Sequence, residues 1–369
     1  MRILSLFDGI SGGQVALTKR LGLKDYTYLA SEIDRYAIEV TQKQFPNTIQ
    51  LGDVTKIKAE HVGEIDLLIG GSPCQSFSKS YSQSDRGFDG SSQLFWEYVR
   101  ILREVKPKHF FLENVKMKQE YVDIISEALG VQPIEVNSSI FSGCQRNRMY
   151  WTNIFVNRLP QANDKSLSDY IDFDEQGYRL SAKIQDRYQT LEEANHKLVG
   201  HHSIVGTTSP PFRTIGQRDY VYGLHKGSLM GCLLASDYKQ PKQIILADGA
   251  IRKLSPRECE ALMGLPKDYT ANISDTQRYK AIGNGWQIDT AAFLLSSLMK
   301  DLVYLEGKYA DINTLEVEGV DTSDYPDFCD AYLSYGEYVD GEKIEEDNLA
   351  LLDESHPDLA YERAVESIS

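Results

Sequence analysis

Four apolar segments in the first 115 residues each end in a glycine or an acidic side chain, and this repetition constrains the fold strongly. The segments are 3–7, 26–31, 65–69 and 109–112, followed in turn by Asp8-Gly9, Glu32, Gly70-Gly71 and Glu113-Asn114. Helical patterns separate them. Strands that alternate with helices form a parallel sheet, whose carboxyl ends meet at one edge. The sequence therefore predicts an α/β fold with polar groups gathered at that edge.

The acidic balance of the chain belongs to its last part. The formal net charge is −15, but residues 301–369 hold 20 Asp and Glu against three Lys and Arg. Residues 1–300 then hold 36 basic and 34 acidic side chains, a balance of +2. A near-neutral body neither requires nor forbids contact with a polyanion. For 301–369 the charge predicts a solvated and partly disordered extension.

The cysteines and the hydropathy pattern exclude several classes of protein. Five cysteines are scattered along the chain without a Cys-x-x-Cys pair, so neither a disulfide framework nor a metal site is expected. No run approaches the ~18 apolar residues of a membrane span, and the first residues lack the pattern of a secretory signal. These features predict reduced thiols, no contact with membranes and a cytoplasmic location.

A glycine-rich turn, Phe7-Asp-Gly-Ile-Ser-Gly-Gly13, follows the first predicted strand and precedes a helix. Such a turn exposes backbone N–H groups to a ligand, although it also joins strands to helices for geometric reasons alone. Glu32, at the end of the next strand, can accept both ribose hydroxyls of a nucleoside. Asp53 is placed to reach an adenine edge. Each acid alone fits a solvated strand end, but together they favour a nucleoside cofactor.

The segment Gly70-Gly-Ser-Pro-Cys-Gln-Ser-Phe-Ser78 places a cysteine just after a strand. A lone cysteine is commonly a small buried hydrophobe. At a sheet edge near helix N-termini or cations, however, a thiolate is favoured and becomes a nucleophile. The polar loop 79–93 that follows has no core pattern, and we predict a mobile lid there.

Glu113 and two arginines complete the candidate chemistry. A partly buried Glu113 at a strand end is suited to hold and donate a proton, although alone it fits an ordinary strand-end acid capped by Asn114. Arg146 and Arg148 lie two apart on an extended segment, so both project from one face. Such a pair serves surface solvation and salt bridges, or holds a phosphate or a carbonyl oxygen.

These motifs, taken in order, resemble those of the DNA cytosine-5 methyltransferases. Single motifs of this kind match by chance, but a full ordered set does not. The resemblance covers residues 1–157 and 250–300. The amino-acid sequence of residues 4–10 is similar to that of the animal de novo methyltransferase catalytic domains. The set is Phe7–Gly13, Glu32, Gly52-Asp53, Pro73-Cys74-Gln75, Glu113–Val115, Gln145–Arg148, Arg252–Ser255 with Glu258, and Gly283–Trp286.

The resemblance implies a Rossmann-like sheet that binds S-adenosylmethionine, with a smaller inserted target-recognition domain. Phe7 would stack on adenine, Glu32 would bind the ribose, and Asn284 and Trp286 would close the methionine side. The implied cofactor-binding residues are Phe7, Asp8, Gly9, Gly12, Glu32, Ile33, Asp53, Val54, Pro73, Asn284, Gly285 and Trp286. The implied domains are 1–157 with 270–300 for catalysis, 158–269 for target recognition and hinge, and 301–369 as the acidic extension.

The resemblance also implies a covalent mechanism on a cytosine that is flipped out of double-stranded DNA. Cys74 would add to C6, Glu113 would bind or protonate N3, Arg148 would hold the base carbonyl, and Arg146 would anchor the site. Gln75, Ser78 and Asn114 would contact the substrate. The acidic extension would weaken non-specific DNA binding or recruit a protein partner.

Two alternatives and two departures remain. A tRNA cytosine-5 methyltransferase would carry a Cys-Phe-Thr signature, where this chain reads Gly231-Cys-Leu-Leu. A non-catalytic regulatory relative would lack the nucleophile or the cofactor acids, which are present here. Ser11 replaces a glycine of the first motif, and Ser91-Ser-Gln precedes Leu94 where relatives carry Arg-Gly.

Residues 289–305, finally, predict one long amphipathic helix.

Overall fold

The computed structural model resolves the chain into two compact units. One comprises Met1–Gly13, Tyr26–Asn153 and Leu159–Thr290, and the other comprises Gln14–Asp25, Ile154–Arg158 and Ala291–Ser369. Among the residues described, no helix combines the length and the apolar character needed to cross a membrane. The described residues are 1–73, 94–161, 165–172, 174–175, 177–181, 204–208, 212–213, 220–221, 224–225, 229–239, 241–246, 251–324, 328 and 330–368.

A seven-stranded sheet with the strand order β3-β2-β1-β4-β5-β7-β6 forms the centre of the first unit. The first five strands run parallel, and β7 is antiparallel to both β5 and β6. The predicted α/β fold is therefore confirmed, with one reversed strand in the sheet. The strands are β1 (Arg2–Leu6), β2 (Thr27–Ser31), β3 (Ile49–Gln50), β4 (Leu67–Gly70), β5 (His109–Val115), β6 (Ile134–Asn137) and β7 (Asn147–Thr152).

Strand β5 continues three residues beyond the apolar run that predicted it. The run ends at Leu112, but β7 pairs with the chain as far as Val115, so Glu113 and Asn114 lie within the strand. Glu113 stands opposite Tyr150, and Arg148 is its diagonal neighbour. Cross-strand pairing therefore brings the predicted acid and one predicted arginine together.

Helices cover this sheet by burying one face each. In α4, for example, Phe95, Tyr98 and Val99 are buried at helical spacing, and they join a core that includes Leu68 and Trp151. A π-helical turn, Ala16–Arg20, directly follows the first helix. The helices of this part are α1 (Gly12–Val15), α2 (Arg35–Gln44), α3 (Ala59–Val62), α4 (Phe95–Val105) and α5 (Gln119–Leu129).

The regular alternation of strands and helices in the sequence ends at about residue 158, and the structure has short strands between there and residue 253. Strands β8, β11, β12 and β13 form a four-stranded sheet in the order β11-β8-β12-β13, and β9 pairs with β10. These strands are β8 (Ile204–Thr208), β9 (Phe212–Arg213), β10 (Tyr220–Val221), β11 (Leu224–His225), β12 (Gln243–Leu246) and β13 (Ile251–Lys253).

At Ser255-Pro256 the sequence predicts the start of a helix, with Ser255 as the cap and Pro256 in the first helical position. Helix α6 (Pro256–Leu262) confirms this prediction. The Ser255 hydroxyl accepts a hydrogen bond from the Glu258 N–H, and the Glu258 carboxylate accepts one from the Ser255 N–H at 2.7 Å. This reciprocal cap satisfies two backbone donors at the start of the helix. Two more helices follow, α7 (Asp275–Asn284) and α8 (Ile288–Leu295).

The single long helix predicted over 289–305 is wrong. Helix α8 ends at Leu295, a 3₁₀ turn covers Ser296–Leu298, and Leu302–Leu305 form strand β14. Strand β14 pairs with β15 (Lys308–Glu318) through a two-residue turn in which Glu306 and Gly307 both have positive φ. Positive φ at both central residues is typical of the type I′ turn, one of the two common turns in hairpins of this length. The apolar residues of 302–305 fit the periodicity of a helix as well as that of a strand. Pairing with β15 makes this segment a strand.

The partly disordered extension predicted from the charge of 301–369 is also wrong. Strands β14, β15 and β16 (Tyr332–Tyr338) form an antiparallel sheet, joined by helices α9 (Glu346–Ser355) and α10 (Asp358–Ser367). Leu315, Leu333 and Leu352 are among the residues of its buried core. In strand β15, Glu316 and Glu318 are exposed, whereas Leu315 is buried and Val317 is partly buried. A high acidic content is thus compatible with folding, because the carboxylates stay on the surface.

Gly283 allows α7 to lie directly against a neighbouring backbone segment. A Cβ at this position would stand 2.2 Å from the carbonyl carbon of Leu234, a backbone atom that cannot rotate away. A Cβ at Gly231, in the same segment as Leu234, would meet no atom within 4 Å. The two glycines therefore differ in what an added methyl group would contact.

We predict that Gly283→Ala lowers the free energy of unfolding by about 3 kcal/mol, because the added methyl group overpacks a rigid contact. Gly231→Ala is the matched control and should change that free energy by less than about 0.5 kcal/mol. Urea titrations followed by circular dichroism measure both. Equal stabilities for the two variants would contradict the close packing at Gly283.

Candidate active site

Residues at the carboxyl ends of β1, β2, β4 and β5 line a cavity of about 290 Å³. This is the edge at which a parallel sheet gathers polar groups. The predicted residues Cys74, Gln75 and Ser78 and the loop 79–93 lie outside the described residues. Predicted site residues that line the cavity are Phe7, Gly9, Glu32, Pro73, Glu113, Asn114, Arg146, Arg148 and Asn284.

The turn after β1 has a left-handed backbone at two residues other than glycine. Phe7 and Ser11 have φ values of 58° and 60°, and Gly9 between them has 58°. Side chains with a Cβ rarely adopt this region, so the surrounding structure must hold it. The Asp8 N–H donates to the Ser31 carbonyl at 3.1 Å, and the Ser11 N–H donates to the Asp8 carbonyl at 3.0 Å. These bonds fix Phe7 at the cavity wall.

The Glu32 carboxylate accepts three backbone hydrogen bonds. One oxygen accepts from the Gly9 N–H at 2.8 Å, and the other accepts from the N–H groups of Ile33 and Asp34 at 2.7 and 2.8 Å. A carboxylate offers roughly four lone-pair positions, so about one remains, on the oxygen that faces Gly9. Glu32 therefore ties the turn after β1 to the start of α2. Its acceptance of ribose hydroxyls stays a prediction.

The side chain of Asp8 points to β2 and is not among the described residues that line the cavity. Its Oδ1 accepts a hydrogen bond from the Tyr28 hydroxyl at 2.9 Å, while its buried Oδ2 has no partner among the described residues. Burial raises the pKa of Asp8 to about 6, although hydrogen bonds from Ser5, Tyr28 and Ser11 act to lower it. The hydroxyl of Ser11 thus supports this buried acid.

Glu113 and Arg148 form an ion pair at the cavity wall. The Arg148 Nε and the Glu113 Oε1 are 2.9 Å apart, and both side chains are 12% exposed. Arg148 also donates to the Asn147 carbonyl at 2.8 Å. Beside them, the Asn114 amide donates to the Ser72 hydroxyl at 3.0 Å. The predicted acid and arginine are therefore held in a fixed geometry next to the chain that leads to residue 74.

Arg146 directs its guanidinium at backbone carbonyls. It donates to Leu233 at 3.0 Å, to Gly283 at 3.3 Å and to Gly285 at 2.6 Å, and the residue is 3% exposed. Its Nη1 also lies 3.7 Å from the sulfur of Cys232. These bonds occupy its terminal nitrogens, so the guanidinium positions neighbouring segments and does not offer a free phosphate site.

Trp286 packs at the same edge of the sheet without being among the described cavity-lining residues. Its ring lies edge-on to Phe111, with 5.3 Å between centroids. A Cβ at Gly71 would stand 3.0 Å from the indole Nε1, and one at Gly13 would stand 3.3 Å from the ring. Gly71 therefore makes room for the indole, whereas at Gly13 an added Cβ would first meet the Ile69 Cδ1, at 2.3 Å.

The remaining predicted cofactor residues are not among the described residues that line the cavity. Ile33 is 76% exposed, whereas Val54 is buried in the core of the first unit. Asp53 caps the turn Val54–Lys56 by accepting from the Thr55 N–H at 3.0 Å. Gly12 packs near Trp286, and the Gly285 carbonyl accepts from Arg146.

Several residues that the sequence analysis missed also line the cavity. They are Asp34 and Tyr36 at the start of α2, and Gln277 and Lys280 on α7. Asp34 caps α2 by accepting from the Tyr36 N–H at 2.9 Å. The wall formed by Asp34 and Tyr36 could have been predicted, because an Asp that can cap a helix follows the predicted ribose acceptor by two residues. The wall formed by Gln277 and Lys280 could not, because only the tertiary fold brings α7 to the cavity.

Comparisons with known proteins agree with this geometry. The family model of the C-5 cytosine-specific DNA methylases matches residues 1–122 and 136–300. The chain belongs to this family, whose members transfer a methyl group from S-adenosylmethionine to C5 of cytosine in DNA. The match ends at residue 300, so the acidic segment lies outside it.

Curated relatives and solved structures agree with the family. The Type II methyltransferase M1.ScrFI of Lactococcus lactis subsp. cremoris is 28% identical over 82% of this chain and 78% of its own length. M.HhaI of Haemophilus parahaemolyticus is 25% identical over 82% of this chain and 95% of its own length. The Entamoeba histolytica methyltransferase EhMeth shares the fold with a TM-score of 0.62 at 18% identity, covering 82% of this chain and 98% of that one.

We predict that Asp8→Asn stabilises the protein at pH 8 and has little effect at pH 4. The unfolded carboxyl ionises near pH 3.8 and the folded one near 6, so stability falls as pH rises between these values. A shift of about two units corresponds to on the order of 3 kcal/mol, which asparagine removes while keeping an acceptor for Tyr28. Thermal unfolding at both pH values measures the difference. A gain that is equal at pH 4 and pH 8 would contradict a buried, late-ionising Asp8.

Proposed function

We propose that this chain methylates C5 of a cytosine extruded from a specific sequence in double-stranded DNA, with Cys74 as the covalent nucleophile. The observation that carries the proposal is that Glu113, Arg148 and Pro73 line the same cavity as Phe7 and Glu32. A residue pair suited to a pyrimidine and a residue pair suited to a nucleoside cofactor thus border one space. Cys74 follows Pro73 directly in the chain.

The cofactor side of this cavity fits S-adenosylmethionine. Phe7 would stack on the adenine, and the lone pair left on Glu32 would accept one ribose hydroxyl. Ile33, Asp53 and Val54 would border the adenine, while Pro73 and Asn284 would border the methionine. Of the turn residues, Gly9 would approach the ligand through its backbone, because it has open space around it. When bound, the cofactor supplies an electrophilic methyl group.

The substrate side activates the pyrimidine. The Cys74 thiolate would add to C6, and the resulting enamine makes C5 nucleophilic. Glu113 would bind or protonate N3 and thereby withdraw charge from the ring as the thiolate adds. Arg148, held beside Glu113, would bind the base carbonyl. After methylation a base or a water removes the C5 proton, the C5–C6 double bond re-forms and the thiolate leaves.

The remaining predicted residues take supporting roles. Gln75, Ser78 and Asn114 would contact the extruded nucleotide. Arg146 would position the Gly283–Gly285 segment, because its guanidinium binds backbone there. Residues 158–269 would read bases in the major groove, and 1–157 with 270–300 would carry the chemistry. The described cysteines Cys144, Cys232 and Cys259 are free thiols, which supports a cytoplasmic location.

We predict that Cys74→Ser abolishes transfer of labelled methyl groups from S-adenosylmethionine to duplex DNA, because a hydroxyl adds to C6 far less readily than a thiolate. Cys329→Ala is the matched control, since this cysteine lies beyond the residues of the family match, and it should keep full transfer. Bisulfite sequencing of the product identifies the methylated atom and its sequence context. Full transfer by Cys74→Ser would refute the covalent route, and preferred methylation of tRNA would refute the DNA substrate.

We also propose that the acidic segment 301–369 weakens non-specific DNA binding by charge repulsion rather than by contact. This segment has a net charge of −17 and folds into a module. Most acidic side chains among its described residues are exposed. Repulsion between this module and phosphates acts over the Debye length and is therefore strongest at low salt. Recruitment of a protein partner is the alternative function of the same surface.

We predict that replacing the exposed Glu316, Glu354 and Glu362 together by Gln tightens binding to random-sequence duplex DNA roughly two- to threefold at 10 mM salt. The Debye length is ~30 Å there and falls to ~3 Å at 1 M, where the difference should vanish. Fluorescence anisotropy at a series of salt concentrations measures both. Affinities that coincide with those of the unaltered protein at low salt would exclude repulsion and favour the partner role.

A further inference from the structure

We infer that Lys280 is a positioning residue for the cofactor, which acts by holding Asp34 and, through it, the Glu32 carboxylate. The inference rests on the proposed function, because it assigns the ribose acceptor to Glu32. The Lys280 Nζ and the Asp34 Oδ2 are 2.8 Å apart, and both residues line the cavity. The ion pair therefore joins α7 to the start of α2 at the cavity itself.

A chain of hydrogen bonds leads from Lys280 to the ribose acceptor. The backbone N–H of Asp34 donates to the Glu32 Oε1 at 2.8 Å, and its Oδ1 accepts from the Tyr36 N–H at 2.9 Å. Asp34 therefore has one carboxylate oxygen on the helix cap and the other on Lys280. Fixing this side chain from both sides fixes the backbone that orients Glu32.

The charges at this wall also favour a positioning role for Lys280. Two carboxylates, Glu32 and Asp34, lie two residues apart on one wall. Lys280 forms an ion pair with Asp34, and it interacts with Glu32 only through space. The hydrogen bond to Asp34 raises the pKa of Lys280, so the ammonium stays charged at neutral pH. Without this cation, Asp34 would repel Glu32 and disfavour an ordered carboxylate at the ribose.

Lys280 is placed for this role by helical spacing on α7. Gln277, Lys280, Ala281 and Asn284 all line the cavity, and they recur at intervals of three and four residues. The same stripe thus brings both Lys280 and the predicted methionine-side residue Asn284 to the ligand.

The ion pair is not the only bond between α2 and the part of the chain that leads into α7. The Gln44 amide of α2 donates to the Tyr269 carbonyl at 2.6 Å, and the Tyr269 hydroxyl donates to the Ile10 carbonyl at 2.7 Å. The Lys280 and Asp34 side chains are 42% and 35% exposed, so their loss leaves no buried charge. We therefore expect variants of either residue to fold.

A double-mutant cycle on cofactor affinity tests the inference, with titration calorimetry of S-adenosylmethionine on the full chain without DNA. Lys280→Met should weaken binding about three- to fivefold, the scale of a partly exposed ion pair. Lys280→Arg should retain most of the affinity. Asp34→Asn keeps the helix cap, so the double variant Asp34→Asn with Lys280→Met should bind more tightly than Lys280→Met alone. The difference between Lys280→Met and the unaltered protein should shrink as salt rises.

A lysine outside the cavity supplies the control. Lys108 pairs with Asp66 at 2.5 Å, so Lys108→Met breaks an ion pair without touching the cavity and should leave the affinity unchanged. The inference is overturned if Lys280→Met binds as tightly as the unaltered chain. It is also overturned if Asp34→Asn fails to rescue it, which would indicate a direct contact of Lys280 with the ligand. Failure of the unaltered chain to bind S-adenosylmethionine would instead refute the proposed function.

Discussion

The guanidinium of Arg146 joins three stretches of chain that are far apart in sequence, and the geometry of the site depends on it. It enters from the start of β7, and its three carbonyl partners lie at Leu233, Gly283 and Gly285. Burying a cation is costly unless hydrogen bonds compensate for the lost water. The three carbonyls accept from the terminal nitrogens of Arg146, while its buried Nε has no partner among the described residues. Separating them would leave a charge and several acceptors unpaired. The turn that carries Asn284 to the cavity is therefore set by a residue on another element.

The two sides of the cavity are ordered by different physical means. On the side that we propose for the cofactor, a single carboxylate, Glu32, accepts from three backbone N–H groups and so rigidifies two loops at once. On the side that we propose for the substrate, an ion pair, Glu113 with Arg148, is held by cross-strand geometry in a sheet. Both arrangements are formed by the protein alone. A site organised before its ligands arrive loses less entropy when they bind.

The charge of the chain is divided between its parts. The methylase-like residues 1–300 are close to neutral, while the segment beyond them is acidic and folded around its own core. The acidic surface does not compete with that core, because strand alternation directs leucines inward and glutamates outward. An enzyme of polyanionic DNA can thus carry a large negative charge without placing it in the body of the family fold.

The sequence alone determined the class of fold and the family, and it predicted nine of the described residues that line the cavity, because apolar runs, glycine turns and strand-end acids are local patterns. It also determined the start of α6, where Ser255 and Glu258 cap the helix reciprocally. Tertiary pairing decided the rest. Pairing with β7 extended β5 beyond Glu113, and pairing with β15 made residues 302–305 a strand where the sequence predicted a helix. Packing also placed the Arg146 guanidinium against backbone carbonyls. Lys280 reached Asp34 across 246 positions, and no periodicity within either segment encodes a contact at that separation.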